Sequence, residues 1–160
     1  MSICDGLLSQ LGHEAEATRV LLSRIPAHIT DWKPHPKSSS VGDLALHIAS
    51  IPGWAVPTMT QPELDFAPPG GPPYSPPVFT TMAATIALLD SNIAAARVAL
   101  TGKPDSAMME PWSLKVGGKV VFTHPRISVM RGFVFSHLIH HRGQLTVYLR
   151  MQDIPLPPIY

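Results

Sequence analysis

Three imidazoles, His47, His137 and His141, stand where helical periodicity asks for hydrocarbon. Toward the C-terminus, Ile127, Met130, Val134, His137, His141, Gln144 and Tyr148 recur in steps of three and four, the stripe of a helix facing a core. Side chains four apart lie one above the other, so His137 and His141 can offer ring nitrogens to one ion from a single face. His140 sits on the flank of that stripe and replaces one of them only if the helix is rotated. Upstream, Leu44, His47, Ile48 and Ile51 form an i, i+3, i+4, i+7 set in which one member is histidine.

One buried imidazole is ordinary, because a single hydrogen bond to a carbonyl satisfies it. Three in an apolar interior each need a partner, at a cost of about 1–3 kcal/mol for every group left without one. A divalent cation meets all three needs together. Three nitrogen ligands also leave a coordination position for water or substrate, the arrangement of a catalytic centre. Competing metal plans fail on sequence. Leu138 follows His137 where a zincin needs glutamate, and no pair of Glu-x-x-His motifs is present for a di-iron site. A mononuclear site remains, and imidazoles suit zinc, nickel, iron, cobalt or copper alike.

The elements that must position these residues read as helices. Residues 2–24 carry Leu7, Leu8, Leu11, Ala15, Thr18, Leu21, Leu22 and Ile25 at helical spacing and stop before Pro26. Glu14 and Glu16 fall on or beside that stripe and read as solvated carboxylates, Glu14 reaching a metal ligand or substrate only if turned inward. Ser40-Val41-Gly42-Asp43 has the Ser-x-x-Asp form of a helix start. The helix that follows ends or kinks at Pro52-Gly53, with Trp54 near the bend. Residues 66–89 lack charged side chains, but Pro68, Pro69, Pro72, Pro73, Pro76 and Pro77 exclude a continuous membrane helix and mark a linker. A third helix runs from Thr80 or Thr81 to Leu100, with Ala83, Ile86, Leu89, Ile93, Ala96 and Leu100 inward. Gly117-Gly118 between two alternating segments predicts a small hairpin, and Pro125 is expected at the first position of the last helix. Arg131, Arg142 and Arg150 lie off the inward stripe. The expected fold is all-α: one domain over residues 1–160, a four-helix bundle with a small β-hairpin before the last helix.

Composition narrows the function classes. The chain has 160 residues, 45% of them hydrophobic and 14% charged, with a net charge of +1. That balance carries no electrostatic signature for nucleic acid or an anionic membrane. No basic segment followed by an apolar one is seen near Met1, so a cytoplasmic protein is expected. The single Cys4 excludes an intrachain disulfide and reads as a small buried or half-exposed residue.

Asp31-Trp32-Lys33-Pro34-His35-Pro36, Gly42-Asp43-Leu44-Ala45-Leu46-His47, the run His137-Leu138-Ile139-His140-His141-Arg142-Gly143-Gln144-Leu145 and the closing Pro155-Leu156-Pro157-Pro158 resemble the DinB/YfiT-like family. The resemblance covers nearly the whole chain and is most specific in the His-His-Arg-Gly-Gln run. It implies a four-helix bundle, a homodimer, and a divalent metal, often nickel or zinc, held by His47, His137 and His141. Family members of known activity include S-transferases that use bacillithiol, mycothiol or glutathione, and a mycothiol-dependent isomerase. The resemblance therefore implies a metal-dependent transferase, isomerase or hydrolase acting on a small electrophile, with a low-molecular-weight thiol as the expected partner. A non-catalytic metal-binding or small-ligand-binding stress protein is the alternative, since no general acid or base beyond the ligands is evident. For substrate contacts the sequence offers Gln144, one turn beyond His141, then Arg142 toward a carboxylate and Trp54 as a pocket wall. Their ordinary readings are a partly buried helix residue, a surface or dimer contact and, for Trp54 as for Trp112, core packing.

Overall fold

Ser2 starts the first helix: its hydroxyl accepts the Asp5 N–H at 3.1 Å while the Asp5 carboxylate accepts the Ser2 N–H at 2.8 Å, a reciprocal cap that satisfies two amides left over at a helix start. In the computed structural model, which describes residues 2–158, helix α1 spans Ile3–Leu22 and buries Leu7, Leu11, Glu14, Thr18, Leu21 and Leu22. Ser40 plays the same part for α2, Val41–Ser50, accepting the Asp43 N–H at 3.1 Å. Pro52 cannot donate to the helical ladder. The chain tightens into a 3-10 turn over Ile51–Trp54 and resumes as α3, Ala55–Thr60, so the proline kinks this arm without ending it. A Cβ on Gly53 would stand 2.8 Å from Asn92 Oδ1, while Asn92 Nδ2 donates to the Ala49 carbonyl at 2.9 Å. The next long helix is thereby pressed against the kink.

That helix, α4, spans Met82–Leu100 and starts at Thr81, whose hydroxyl accepts the Ala84 N–H. It is long and apolar enough to cross a membrane. Here it packs against α1, α2 and α3 with Thr85, Leu89, Ile93, Ala96, Ala99 and Leu100 buried. Asp90, on its exposed side, pairs with Arg19 at 2.9 Å. Of the expected inward positions, Ala83 is exposed and Thr85 is buried instead.

The hairpin is part of a three-stranded sheet. Strand β1, Glu63–Asp65, lies parallel to β2, Pro111–Val116, and β2 is antiparallel to β3, Lys119–Pro125. Between β2 and β3, Gly117 and Gly118 take φ of +63° and +76°, a turn that side-chain-bearing residues resist. Asp65 explains why β1 joins. Its carboxylate accepts the N–H groups of Gly117 at 3.0 Å and Gly118 at 2.7 Å. A short helix, α5, Asp105–Met109, precedes β2. Residues 66–80 form a strap without regular secondary structure between β1 and α4. One end is held by the Phe66 N–H on the Lys115 carbonyl, the other by the Phe79 ring lying over Gly42.

Beyond β3 the chain becomes helical: α6, Arg126–Val129, a π-helical segment Met130–Ser136, and α7, His137–Met151. Pro125 ends the strand and precedes the helix, one position earlier than expected. The Arg126 guanidinium fixes this junction, donating to the carbonyls of Thr58 and Gln61 and to the Glu110 carboxylate. The expected four-helix bundle is what forms: α1 and α2 each pack against both α4 and α7.

One expectation is displaced. The deeply buried line of α7 is Leu138, Arg142, Leu145 and Leu149, one residue, or about 100°, from the stripe through His137, His141, Gln144 and Tyr148. The π-helical segment is the cause. Its i→i+5 hydrogen bonds add a residue to the turn, so a stripe drawn at 3.6 residues through Met130 changes phase before His137.

Candidate metal centre

His47 from α2 and His137 and His141 from α7 converge, each offering a ring nitrogen within 4.8 Å of the others. The rings lie 4.6–5.0 Å apart between centroids. They sit half-buried on the flank of the core line, at the α2–α7 contact. His47 Nε2 and His137 Nε2 are 3.2 Å apart. Two imidazoles bound to one tetrahedral ion at about 2.0–2.1 Å stand roughly 3.3 Å apart, so this donor set fits a first-row divalent metal. His140 is exposed and lies outside the group.

Two ring orientations are fixed by backbone and side-chain partners. Gln144 Oε1 lies 2.6 Å from His141 Nδ1 and accepts its proton, leaving Nε2 as the free donor atom. In an ordinary helix the N–H of His137 would take the Phe133 carbonyl. Here it reaches the Gly132 carbonyl, five residues back, and the His137 ring hydrogen-bonds the Phe133 backbone. The π-helical segment thus releases a carbonyl that orients a ligand. Replacing Gln144 with leucine is expected to weaken metal binding about 10–100-fold, as measured by competition with a chromophoric chelator. An unchanged affinity would show that the contact does not orient His141.

Burial keeps the imidazoles neutral. It is the largest cause of the fall in the His47 pKa to about 4, with His141 and His137 adding like-charge repulsion. Burial also lowers His137 and His141, partly opposed at His141 by Gln144. Neutral imidazoles are ready to ligate near pH 7. In metal-free protein the sign is set by linkage: between its ordinary value of 6.5 and about 4, His47 binds a proton more readily in the unfolded chain. Stability is therefore lost as the pH falls through that window. The urea midpoint of metal-free protein should drop between about pH 7 and pH 5 by more in the wild type than in His47→Phe. Equal drops would contradict the assignment.

Of the other expected contacts, Gln144 is exposed apart from its bond to His141. Trp54 stands beside the centre, its ring 5.3 Å from His137 and 6.2 Å from His47. Trp112 is buried, its indole N–H on the Pro57 carbonyl, and also lines a cavity next to the centre. Arg142 corrects the sequence reading. It is neither a surface residue nor placed to meet a substrate; at 1% exposure it points into the bundle, with Nη2 2.6 Å from Glu14 Oε2 and Nη1 within 3.2–3.3 Å of Thr18 Oγ1 and the Glu14 carbonyl. Glu14 is likewise buried, not solvated. This α1–α7 ion pair occupies the position next to His141 and fixes which way α7 turns its histidines.

Sequence reasoning missed Phe66 and Phe133, which line the cavity, and Tyr74, which lines a cleft beside His47. Phe133 had a signal, four residues before His137 on the same helical run. Phe66 and Tyr74 had none, lying in the proline-rich strap.

Among solved structures the chain is similar to a DinB-like protein from Bacillus cereus, at 22% identity and a TM-score of 0.72 over 99% of this chain and 98% of that one. It is also similar to a DinB-like protein from Bacillus subtilis, at 16% identity and a TM-score of 0.71 over 95% of each. These likenesses concern the fold. No curated protein matches the chain at a significant level. The family model of the DinB superfamily matches residues 10–145, a span that holds all three histidines, the whole of α2 and α4 and the greater part of α1 and α7, and the chain belongs to that superfamily.

Proposed function

We propose that this protein is a metal-dependent enzyme with a mononuclear three-histidine centre, transferring a low-molecular-weight thiol onto a small electrophile. The observation that carries the reading is the convergence of His47, His137 and His141, with cavities opening on more than one side of them. Structural metal sites are closed by a fourth protein ligand, whereas three ligands beside open space suit turnover.

His47, His137 and His141 would hold the ion; nickel and zinc both fit imidazole donors. A divalent ion there supplies Lewis acidity, lowering the pKa of a thiol or water. The chain's own residues do the rest. Gln144 and the Phe133 backbone hold two ligand rings in orientation. The Trp54 indole, against His47 and His137, shields that face from water. In the transfer the thiol loses its proton to solvent, its sulfur forms a bond to the electrophilic carbon, and the leaving group departs with the electron pair. A homodimer working in the cytoplasm completes the reading.

The test mixes metal-loaded protein with bacillithiol, mycothiol or glutathione and a panel of electrophiles. Thiol consumption is expected to exceed that of His137→Ala by at least about 100-fold. Consumption no faster than that variant with every thiol would leave a metal-binding module without this activity.

A further inference from the structure

The histidines separate two unlike spaces. On the His141 side is a polar cleft of about 410 Å³, bordered by Ser38, Ser39, Gln144 and Tyr148. On the His137 side is a cavity of about 110 Å³ between the bundle and the sheet. Leu64, Leu114 and Phe122 form its sheet wall, and Trp54, Phe133 and His137 its helical wall.

Polar atoms on the apolar walls are turned away. Thr58 Oγ1 donates to the Trp54 carbonyl at 2.8 Å, and Trp112 Nε1 donates to the Pro57 carbonyl at 3.2 Å. Among the described residues, His137 is the one ionisable side chain on the lining. An occupant therefore finds an apolar lining, with the His137 ring as the part of the wall nearest the metal centre. Cavities of about 150 Å³ lined by hydrocarbon stay dry and admit benzene, so this space suits one phenyl ring or a short branched alkyl group.

We propose that the electrophilic substrate carries a single aryl or short alkyl group that fills this cavity, and presents its reactive carbon toward His137. The hydrophilic thiol arrives through the cleft at His141. This rests on the catalytic reading above, because it assigns the two substrates of that reaction to opposite sides of one centre. The division also gives selectivity, since a polar electrophile loses its hydration in the cavity without gaining a hydrogen bond.

The test separates cavity from metal. Toluene is titrated into full-length protein and followed by nuclear Overhauser contacts to the indoles of Trp54 and Trp112. Saturation at one site is expected in wild type and in His47→Ala, which removes a proposed ligand and leaves the cavity walls intact. Leu114→Trp and Leu64→Phe, which fill the cavity from the sheet side, should each weaken toluene at least about tenfold. Cobalt bound at the centre should also broaden the resonances of the saturating toluene, as an occupant beside His137 requires, and Leu114→Trp should abolish that broadening. Failure of toluene to saturate folded wild type, or wild-type affinity for toluene in both filled variants when folded, overturns the proposal. So does a cobalt form that leaves the toluene resonances unbroadened. Toluene binding by a protein that takes up no cobalt would support the cavity's apolar occupancy and sink the metal reading alone.

Discussion

Replacing Arg142 with methionine should destabilise the folded chain by about 3–5 kcal/mol, because the substitution strands the Glu14 carboxylate in the bundle interior without its counter-ion. Both groups are almost wholly enclosed and stand 2.6 Å apart. Thr18 is drawn into the same network, its hydroxyl donating to the Glu14 carbonyl at 2.6 Å and accepting from Arg142. Removing one charge leaves the desolvation of the other unopposed. Removing both should not: Glu14→Leu with Arg142→Met is expected to recover most of the loss, since a buried ion pair is often replaceable by hydrocarbon of similar volume. Urea denaturation of the two single variants and the double variant measures this. Single variants costing less than about 1 kcal/mol would mean that the pair is solvated in solution, contrary to the structure.

The second large effect is at the metal. His47→Ala and His141→Ala should each reduce affinity for nickel or zinc by at least about 100-fold, more than loss of an orienting contact costs. His140→Ala should leave it nearly unchanged, because that ring is exposed and outside the converging group. Competition titrations on protein purified without a histidine tag distinguish them. Similar losses at His140 and His141 would mean that α7 is rotated from the position described.

Much of this was legible in the sequence, and the exceptions have physical reasons. The cap at Ser40, the kink at Pro52 and the Gly117-Gly118 turn follow from local chemistry, and each appears. The histidine convergence was legible because an apolar stripe interrupted by imidazole is unusual from either helix. What failed was depth. A stripe drawn at constant pitch cannot anticipate a segment wound at a different one, so on spacing alone the line through His137 reads as core and Arg142 as surface. Glu14 and Arg142 are charged residues hidden by pairing across 128 positions, and sequence spacing carries no trace of such a partner. Strand β1 is three residues long. Its pairing depends on the Asp65 carboxylate meeting a turn some fifty residues later.

The strap over the centre is rich in rings: Pro68, Pro69, Pro72, Pro73, Pro76 and Pro77, with Phe66 and Tyr74 at 5.2 Å. Each proline already fixes one torsion before folding, so the unfolded segment has fewer shapes to surrender when it docks. A rim stiffened in this way arrives nearly in its final form, and an entering molecule need do little work to organise it. Recognition there should therefore resemble a key meeting a cut lock more than a hand closing on its grip.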